Sequence, residues 1–247
     1  MFRLGAGRVR EGIPLCGAIF WTTGHFTEPR RRDVLVTVRR SIMHSDESYL
    51  LSGADGDVIW HKAGQISGRG TGGQPFAVAD FDGDGLDDAA SLYPSIVYIL
   101  EGATGENLLN MDATWPPVPL KPAYWGIPIV VDGETGAGPQ IFFASGRDNS
   151  SLTALVRPNG ELAWFDSPEK GGSGYPAFGD FIGDGRTKAI CWGYENGMHC
   201  YDVNSGLIEW RLDQPVPGNP TGSASADLNG DGIGPEWRRN NATHHIH

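Results

Sequence analysis

The chain has 247 residues, with 30 Asp and Glu against 19 Lys and Arg and a formal net charge of −11. That balance argues against nucleic acid as a partner, because a phosphate backbone is met by clustered Lys and Arg, and no run of 18 apolar residues reads as a membrane span. Gly 36 and Pro 17 imply frequent turns, and no long stretch carries a 3.6-residue apolar period. The chain therefore reads as all-β, at a length one β domain commonly reaches.

Residues 1–32 hold no clean copy of the pattern that follows and read as a leader or a degraded first portion of it. Within them, the apolar run 13–21 follows Arg3, Arg8 and Arg10, the charged-then-apolar order of a secretion signal, without a clear cleavage site; a first strand is the competing reading. Arg30, Arg31 and Arg32, with Arg39 and Arg40, form a local basic run read as a solvated face. Residues 33–38 look like the second strand of a repeat unit, with a degraded loop before it.

Residues 80–88 read Asp-Phe-Asp-Gly-Asp-Gly-Leu-Asp-Asp. Asp80, Asp82, Asp84 and Asp88 occupy positions 1, 3, 5 and 9, and the Leu86 carbonyl is available at position 7. Hard oxygen ligands on a chain that curls are what Ca²⁺ needs, and the five carboxylates of this loop repel one another without a cation. An EF-hand loop begins the same way, but it requires a bidentate Glu at position 12, where this chain has Ser91. The flanks 72–79 and 96–100 suit strands, not the two helices of an EF-hand.

The motif recurs. A degenerate copy starts at Asp132 (with Glu134, Gly136 and Gln140 at the later positions), another at Asp180, and a third at Asp227, so starts lie 52, 48 and 47 residues apart. In the loop 180–188, Ile182 and Lys188 replace the third and ninth ligands; neither coordinates calcium, so no ion is expected there. The Lys188 ammonium then has two destinations, near Asp180 and Asp184 in place of the ion, or solvent. In the loop 227–235, Asp227, Asn229 and Asp231 are good ligands, but Pro235 stands at position nine, with Glu236 next to it as a substitute ligand. The metal-ligand candidates are therefore Asp80, Asp82, Asp84, Leu86 and Asp88, with Asp227, Asn229 and Asp231 as a second set.

A hairpin pattern runs in phase with these loops: an apolar strand, a turn ending in Gly56, Gly105, Gly160 or Gly206, and a strand carrying Trp60, Leu109, Trp164 or Trp210. Two motifs with a period near 50 residues describe a unit of four short antiparallel strands, the pattern of a β-propeller blade. The units are placed near 33–75, 76–126, 127–174 and 175–222, with another from 223 and a polar tail at 237–247. Four blades and part of a fifth suggest a partial or truncated propeller, or a small ring closed by mixing strands from both ends.

The acidic loop before a hydrophobic strand resembles the FG-GAP or VCBS-type repeat of integrin-alpha-like propellers and many secreted bacterial proteins. The hairpins resemble those of quinoprotein-type propellers, and chains mixing both features are similar to secreted rhamnogalacturonan lyases. The resemblance covers about residues 33–236 and implies a propeller fold, Ca²⁺, and an extracellular, secreted or periplasmic setting. It leaves function open, because propellers host unrelated activities.

Catalysis has little support: no Gly-x-Ser-x-Gly elbow occurs, and His25, His44, His61 and His199 are spread along the chain, with His44 and His61 alone sharing a unit, where they flank one hairpin. His244, His245 and His247 read as a polar tail rather than a zinc site, and Asn241 begins a chance-level glycosylation triplet. No catalytic residue is assigned. A non-catalytic module binding a protein or glycan on one propeller face is the leading reading. Part of a rhamnogalacturonan-lyase-like enzyme is the alternative, with Trp115, Tyr124 and Trp125 as sugar-stacking candidates that equally suit packing between blades. Of Cys16, Cys191 and Cys200, the last two flank the Asn196-Gly197 turn, and a register centred on that turn sets them diagonal, near the limit for a disulfide, so buried free thiols are the favoured reading.

Overall fold

The computed structural model describes residues 19–38, 47–63, 76–93, 96–110, 126–133, 137–147, 150–166, 176–193, 197–212, 223–226 and 236–239. Every regular element among them is a strand. The first sheet contains β1 (Ile19–Glu28), β2 (Arg31–Val38), β3 (Glu47–Leu51) and β4 (Val58–Ala63). The second contains β5 (Ala77–Ala79), β6 (Asp88–Tyr93), β7 (Ile96–Leu100) and β8 (Asn107–Asn110). The third contains β9 (Gly126–Asp132), β10 (Pro139–Arg147), β11 (Ser150–Val156) and β12 (Leu162–Asp166), and the fourth β13 (Ala177–Gly179), β14 (Lys188–Gly193), β15 (Gly197–Asp202) and β16 (Ile208–Leu212). A two-stranded sheet, β17 (Ser223–Ala226) and β18 (Glu236–Arg239), follows.

Each sheet is an antiparallel meander in chain order. First strands of successive sheets touch, β1 with β5, β5 with β9 and β13 with β17, so first strands line the inside and fourth strands the rim. This is a β-propeller: four four-stranded blades and two strands of a fifth among the described residues. Blade 1 starts at Ile19, inside the stretch that the sequence left as a leader or a degraded portion.

The turn between third and fourth strands follows one plan in the four complete blades, with a shorter version in blade 3. In blades 1, 2 and 4 the residue at or just past the end of the third strand (Ser52, Glu101, Asp202) donates its N–H five residues ahead, and the turn glycine donates back to it. Blade 3 closes one residue earlier, between Arg157, Gly160 and Glu161. Gly56, Gly105, Gly160 and Gly206 have φ of 79°, 68°, 84° and 71°, a conformation in which a Cβ collides with its own backbone. A register shift follows in each blade, at Leu50/Leu51, Ile99/Leu100, Leu155/Val156 and Cys200/Tyr201.

The core lies between blades. Leu35, Leu50 and Trp60 of blade 1 meet Phe76, Val78, Ala89 and Leu100 of blade 2. Blade 2 meets blade 3 through Ala90, Ile99 and Leu109 against Ile141, Phe143 and Val156. Blade 3 meets blade 4 through Phe142, Leu155 and Trp164 against Ala189, Tyr201 and Val203. Indole N–H groups orient two of these seams: Trp60 Nε1 donates to the Gly102 carbonyl at 2.8 Å, and Trp164 Nε1 to the Val203 carbonyl at 2.8 Å. Leu109 has no donor, so the blade 2–blade 3 seam rests on apolar packing.

Each docked indole lies over the turn glycine of the next blade. A Cβ on Gly206 would sit 2.4 Å from Trp164 Cδ2, whereas one on Gly56 would meet nothing within 4 Å. Gly56→Ala is therefore expected to cost about 1–2 kcal/mol, the left-handed backbone penalty alone. Gly206→Ala should cost about 2–5 kcal/mol, because the indole must also move. Urea denaturation of the two variants checks the difference, and equal losses would contradict this account of the seam.

Candidate metal centre

The loop 80–88 joins β5 to β6, and its own backbone curls around the acidic side chains. Asp80 accepts the Gly83 N–H at 2.7 Å and the Gly85 N–H at 2.9 Å, which draws the loop into a tight ring. Gly83 and Gly85, at φ of 84° and 90°, make that curl accessible to the chain. Asp82 and Asp84 cap the N–H groups of Asp84 and Leu86 at 3.1 and 2.8 Å. The outcome is a convergence: one carboxylate oxygen each from Asp80, Asp82 and Asp88 lies within 4.8 Å of the others.

Of the five residues proposed for this loop, the structure brings three together. The Asp84 carboxylate is outside the group of three, although its backbone neighbours keep it on the same loop. Leu86 follows at the seventh position, with its N–H bound to Asp84. The second set, Asp227, Asn229 and Asp231, lies outside the described residues, as do Trp115, Tyr124, Trp125, His44 and Cys16.

Asp88 is the deepest of the ligand candidates, at 1 % exposure. Its Oδ2 accepts the Phe81 N–H at 3.0 Å and its Oδ1 the Gly102 N–H at 3.1 Å. Burial pushes its pKa up to about 6, and the charges of Asp82 and Asp84 add to the rise against the two N–H bonds. A carboxylate that is buried and faced by other carboxylates belongs to a cluster that could hold a metal ion. The donor set is all hard oxygen, which suits Ca²⁺ and offers nothing to soft metals.

The equivalent corners of the other complete blades are filled by different side chains. In blade 1, Asp33 is fully buried; burial opposes its ionisation, but bonds from Thr27, the Gly53 N–H and Arg31 outweigh it and hold the pKa low. In blade 3, Gln140 is 5 % exposed, and among the described residues its Oε1 has no hydrogen-bond partner. In blade 4, Lys188 is fully buried, with its Nζ 2.8 and 2.9 Å from the two Asp184 oxygens and 3.3 Å from Asp202 Oδ2. The ammonium thus turns inward, and its anchors are Asp184 and Asp202 rather than Asp180.

The remaining candidates have structural partners. His61 stacks on Tyr49, with ring centroids 4.4 Å apart, and its Nε2 lies 3.3 Å from Glu47 Oε2. His199 Nδ1 lies 3.1 Å from the Tyr201 hydroxyl, which donates to Asp166 across the blade 3–blade 4 seam at 2.9 Å. His25 hands its backbone N–H to Asp87 at 2.6 Å and accepts the Asp87 N–H at 3.1 Å, tying β1 to the acidic loop.

The cysteine hairpin differs from the register expected of a turn at Asn196-Gly197. Gly193 pairs with Gly197, so Cys191 lies opposite His199, and Cys200 opposite Ile190. Paired residues share a face and successive ones alternate, which puts the two thiols on opposite faces of the sheet. Both are free and buried, Cys191 among the blade 3 contacts and Cys200 beside Met198. Burial pushes both thiols up in pKa, Cys200 to about 12.

In sequence, no family profile and no curated protein matches the chain. In shape, it is similar to a Bacillus licheniformis rhamnogalacturonan lyase PL11, with a TM-score of 0.55 and 15 % identity over 91 % of this chain and 55 % of that one. The exotype rhamnogalacturonan lyase YesX gives a TM-score of 0.53 and 14 % identity over 90 % of this chain and 53 % of that one. BBS1N, crystallised in complex with ARL6DN, gives a TM-score of 0.55 and 10 % identity over 85 % of this chain and 60 % of that one. The chain spans a little over half the length of these structures. At such identities the likeness speaks for the propeller fold alone.

Between 3.8 and about 6, the folded metal-free protein keeps a proton on Asp88 that the unfolded chain has released. Stability of the metal-free protein should therefore fall as pH rises through this window, by on the order of 2–3 kcal/mol, and remain lower above it. Asp88→Asn should flatten that slope. Urea melts in EGTA across the window check both, and a slope unchanged by the substitution would remove Asp88 as its source.

Proposed function

We propose that the chain is a calcium-clipped β-propeller of the FG-GAP or VCBS type, acting as a non-catalytic binding module in an extracellular or periplasmic setting. The observation that carries this reading is the convergence of Asp80, Asp82 and Asp88 within 4.8 Å, with Asp88 buried at the head of β6. Asp84 and the Leu86 carbonyl, on the same loop, would bring the donor residues to five once the loop closes on an ion, with water or a bidentate carboxylate making up the six to eight oxygens Ca²⁺ takes. The bound ion would neutralise the cluster and fix the loop.

The clip reaches the blade seam through two short links. Asp88 holds the N–H of Gly102, and the carbonyl of Gly102 receives the Trp60 indole. Asp87, one residue earlier, binds His25 of β1. An ion in this loop therefore supports the docking of blade 1 on blade 2, a structural role and not a catalytic one. The ligand of the module would be a protein or a glycan on a propeller face.

Two of the solved structures of similar shape are rhamnogalacturonan lyases, which motivates a second reading of the chain as part of a secreted polysaccharide-cleaving protein. The two readings separate on incubation with rhamnogalacturonan and calcium. A binding module yields no unsaturated, ultraviolet-absorbing product; a lyase does.

Calcium should raise the melting temperature, because an ion that binds only the folded state stabilises it by mass action. At free calcium about 100-fold above Kd the gain is about 2.7 kcal/mol, and for a domain of this size that is about 5–10 °C. Asp80→Ala should abolish the shift and lower binding in calorimetry. A wild-type melting curve indifferent to EGTA would sink the calcium reading.

A further inference from the structure

Each complete blade begins its second strand, or nearly so, with a buried polar side chain: Asp33, Asp88, Gln140 and Lys188 are 0, 1, 5 and 0 % exposed. The loops ahead of Asp88 and Lys188 curl in a similar way. Asp180 accepts the N–H groups of Asp184 and Gly185 at 3.1 and 2.7 Å; Asp80 accepts those of Gly83 and Gly85, so the bond from the fifth residue ahead is common to both and the second bond differs by one residue. Gly183 and Gly185 have φ of 71° and 77°, close to their counterparts in blade 2. The loop of blade 4 is therefore curled like a cation loop, although its third and ninth positions hold Ile182 and Lys188.

We propose that the acidic loop of blade 4 is a cation site filled by the chain's own Lys188 ammonium. Of the two described loops of this shape, only that of blade 2 then draws its cation from solution, and the residues at positions three, seven and nine decide the source. The contacts of Lys188 carry the argument. Its Nζ binds both oxygens of Asp184, the fifth-position carboxylate, and lies 3.3 Å from the Arg186 carbonyl, the seventh-position oxygen. Those are two of the ligand positions that a calcium loop presents to its ion. A third acceptor, Asp202 Oδ2 at 3.3 Å, comes from the end of β15, and Glu209 Oε1 stands 3.8 Å away on β16.

A fully buried ammonium persists only where oxygens replace its lost water. Burial alone would lower the Lys188 pKa, but its bonds to Asp184 and Asp202 carry it above the ordinary lysine value. The partner responds in kind: the Lys188 ammonium holds Asp184 well below the usual carboxylate range. Arg186 closes the outer side, with NH2 2.6 Å from Asp184 Oδ2 and NH1 2.9 Å from Asp202 Oδ2. Leu86 occupies that position in blade 2, so the seventh side chain there brings no cation of its own.

The test copies the blade 2 residues into blade 4 of the full chain. The variant Ile182→Asp/Arg186→Leu/Lys188→Asp should bind one more equivalent of calcium than the wild type in calorimetric titration with calcium chloride. It should melt below the wild type in EGTA and recover on adding calcium. Lys188→Met, which leaves a buried acidic pocket without its cation, should lower the melting temperature by at least about 5 °C. That loss should be the same in EGTA and in calcium, with no equivalent gained. Wild-type stoichiometry in a folded triple variant, or an unchanged melting temperature for Lys188→Met, would overturn the proposal. It rests on the calcium reading of blade 2 only as a reference: a wild type that takes up no calcium would end that reading, while a gain by the triple variant would still stand.

Discussion

A polar side chain buried where the second strand of each complete blade begins is the constraint on which the rest of this propeller turns. A blade corner is a crowded place, where the loop leaving the first strand, the head of the second and the turn after the third all meet. Backbone N–H groups there need an acceptor once blades pack and water leaves. In blades 1 and 2 a carboxylate supplies it, Asp33 to Gly53 and Asp88 to Gly102. The buried charge then needs a cation, since an unpaired carboxylate in such a site is costly. Arg31 provides one in blade 1, with its Nε 3.1 Å from Asp33. Lys188 and Arg186 do so in blade 4, and blade 2 is left with an excess of negative charge around Asp88.

From this corner the electrostatics reach the packing. The Asp88–Gly102–Trp60 series passes from an acidic loop to an indole on the neighbouring blade in two hydrogen bonds. Trp164 makes the corresponding reach to Val203, whose N–H is held by the Thr187 carbonyl in the loop of blade 4. Loop and seam are thus one mechanical unit in each case. The blade 2–blade 3 seam lacks the indole donor and compensates with Ile99, Ile141 and Phe143, all buried. One blade face stands apart from this scheme: Trp21 on β1 is 68 % exposed, on the side of blade 1 turned away from blade 2.

Much of this was legible along the chain, because its signals are local. The turn glycines announce positive φ by identity, the indoles recur at a fixed offset from them, and the spacing of Asp80, Asp82 and Asp88 is a property of nine consecutive residues. Which of these carboxylates converge was not legible in that spacing. The curl of the loop groups Asp80, Asp82 and Asp88 and leaves the Asp84 carboxylate beside them. The cysteine hairpin went astray for a similar reason. A shift of its closing pair to Gly193 and Gly197 changes every partner along both strands, and no single residue advertises that shift.

By itself the sequence determined the all-β class, the repeat period, the turn positions and an acidic loop fit for calcium, since each depends on neighbours in the chain and on backbone conformational preference. Only the tertiary structure decided how the corner charges are balanced. Asp202 and Glu209 reach Lys188 from two other strands, His25 reaches Asp87 across 62 residues, and Gly102 reaches Asp88 across 14. Such pairings answer to desolvation, which exists only after blades have packed and water has gone; until then an acidic loop with a lysine and one without differ merely in formal charge.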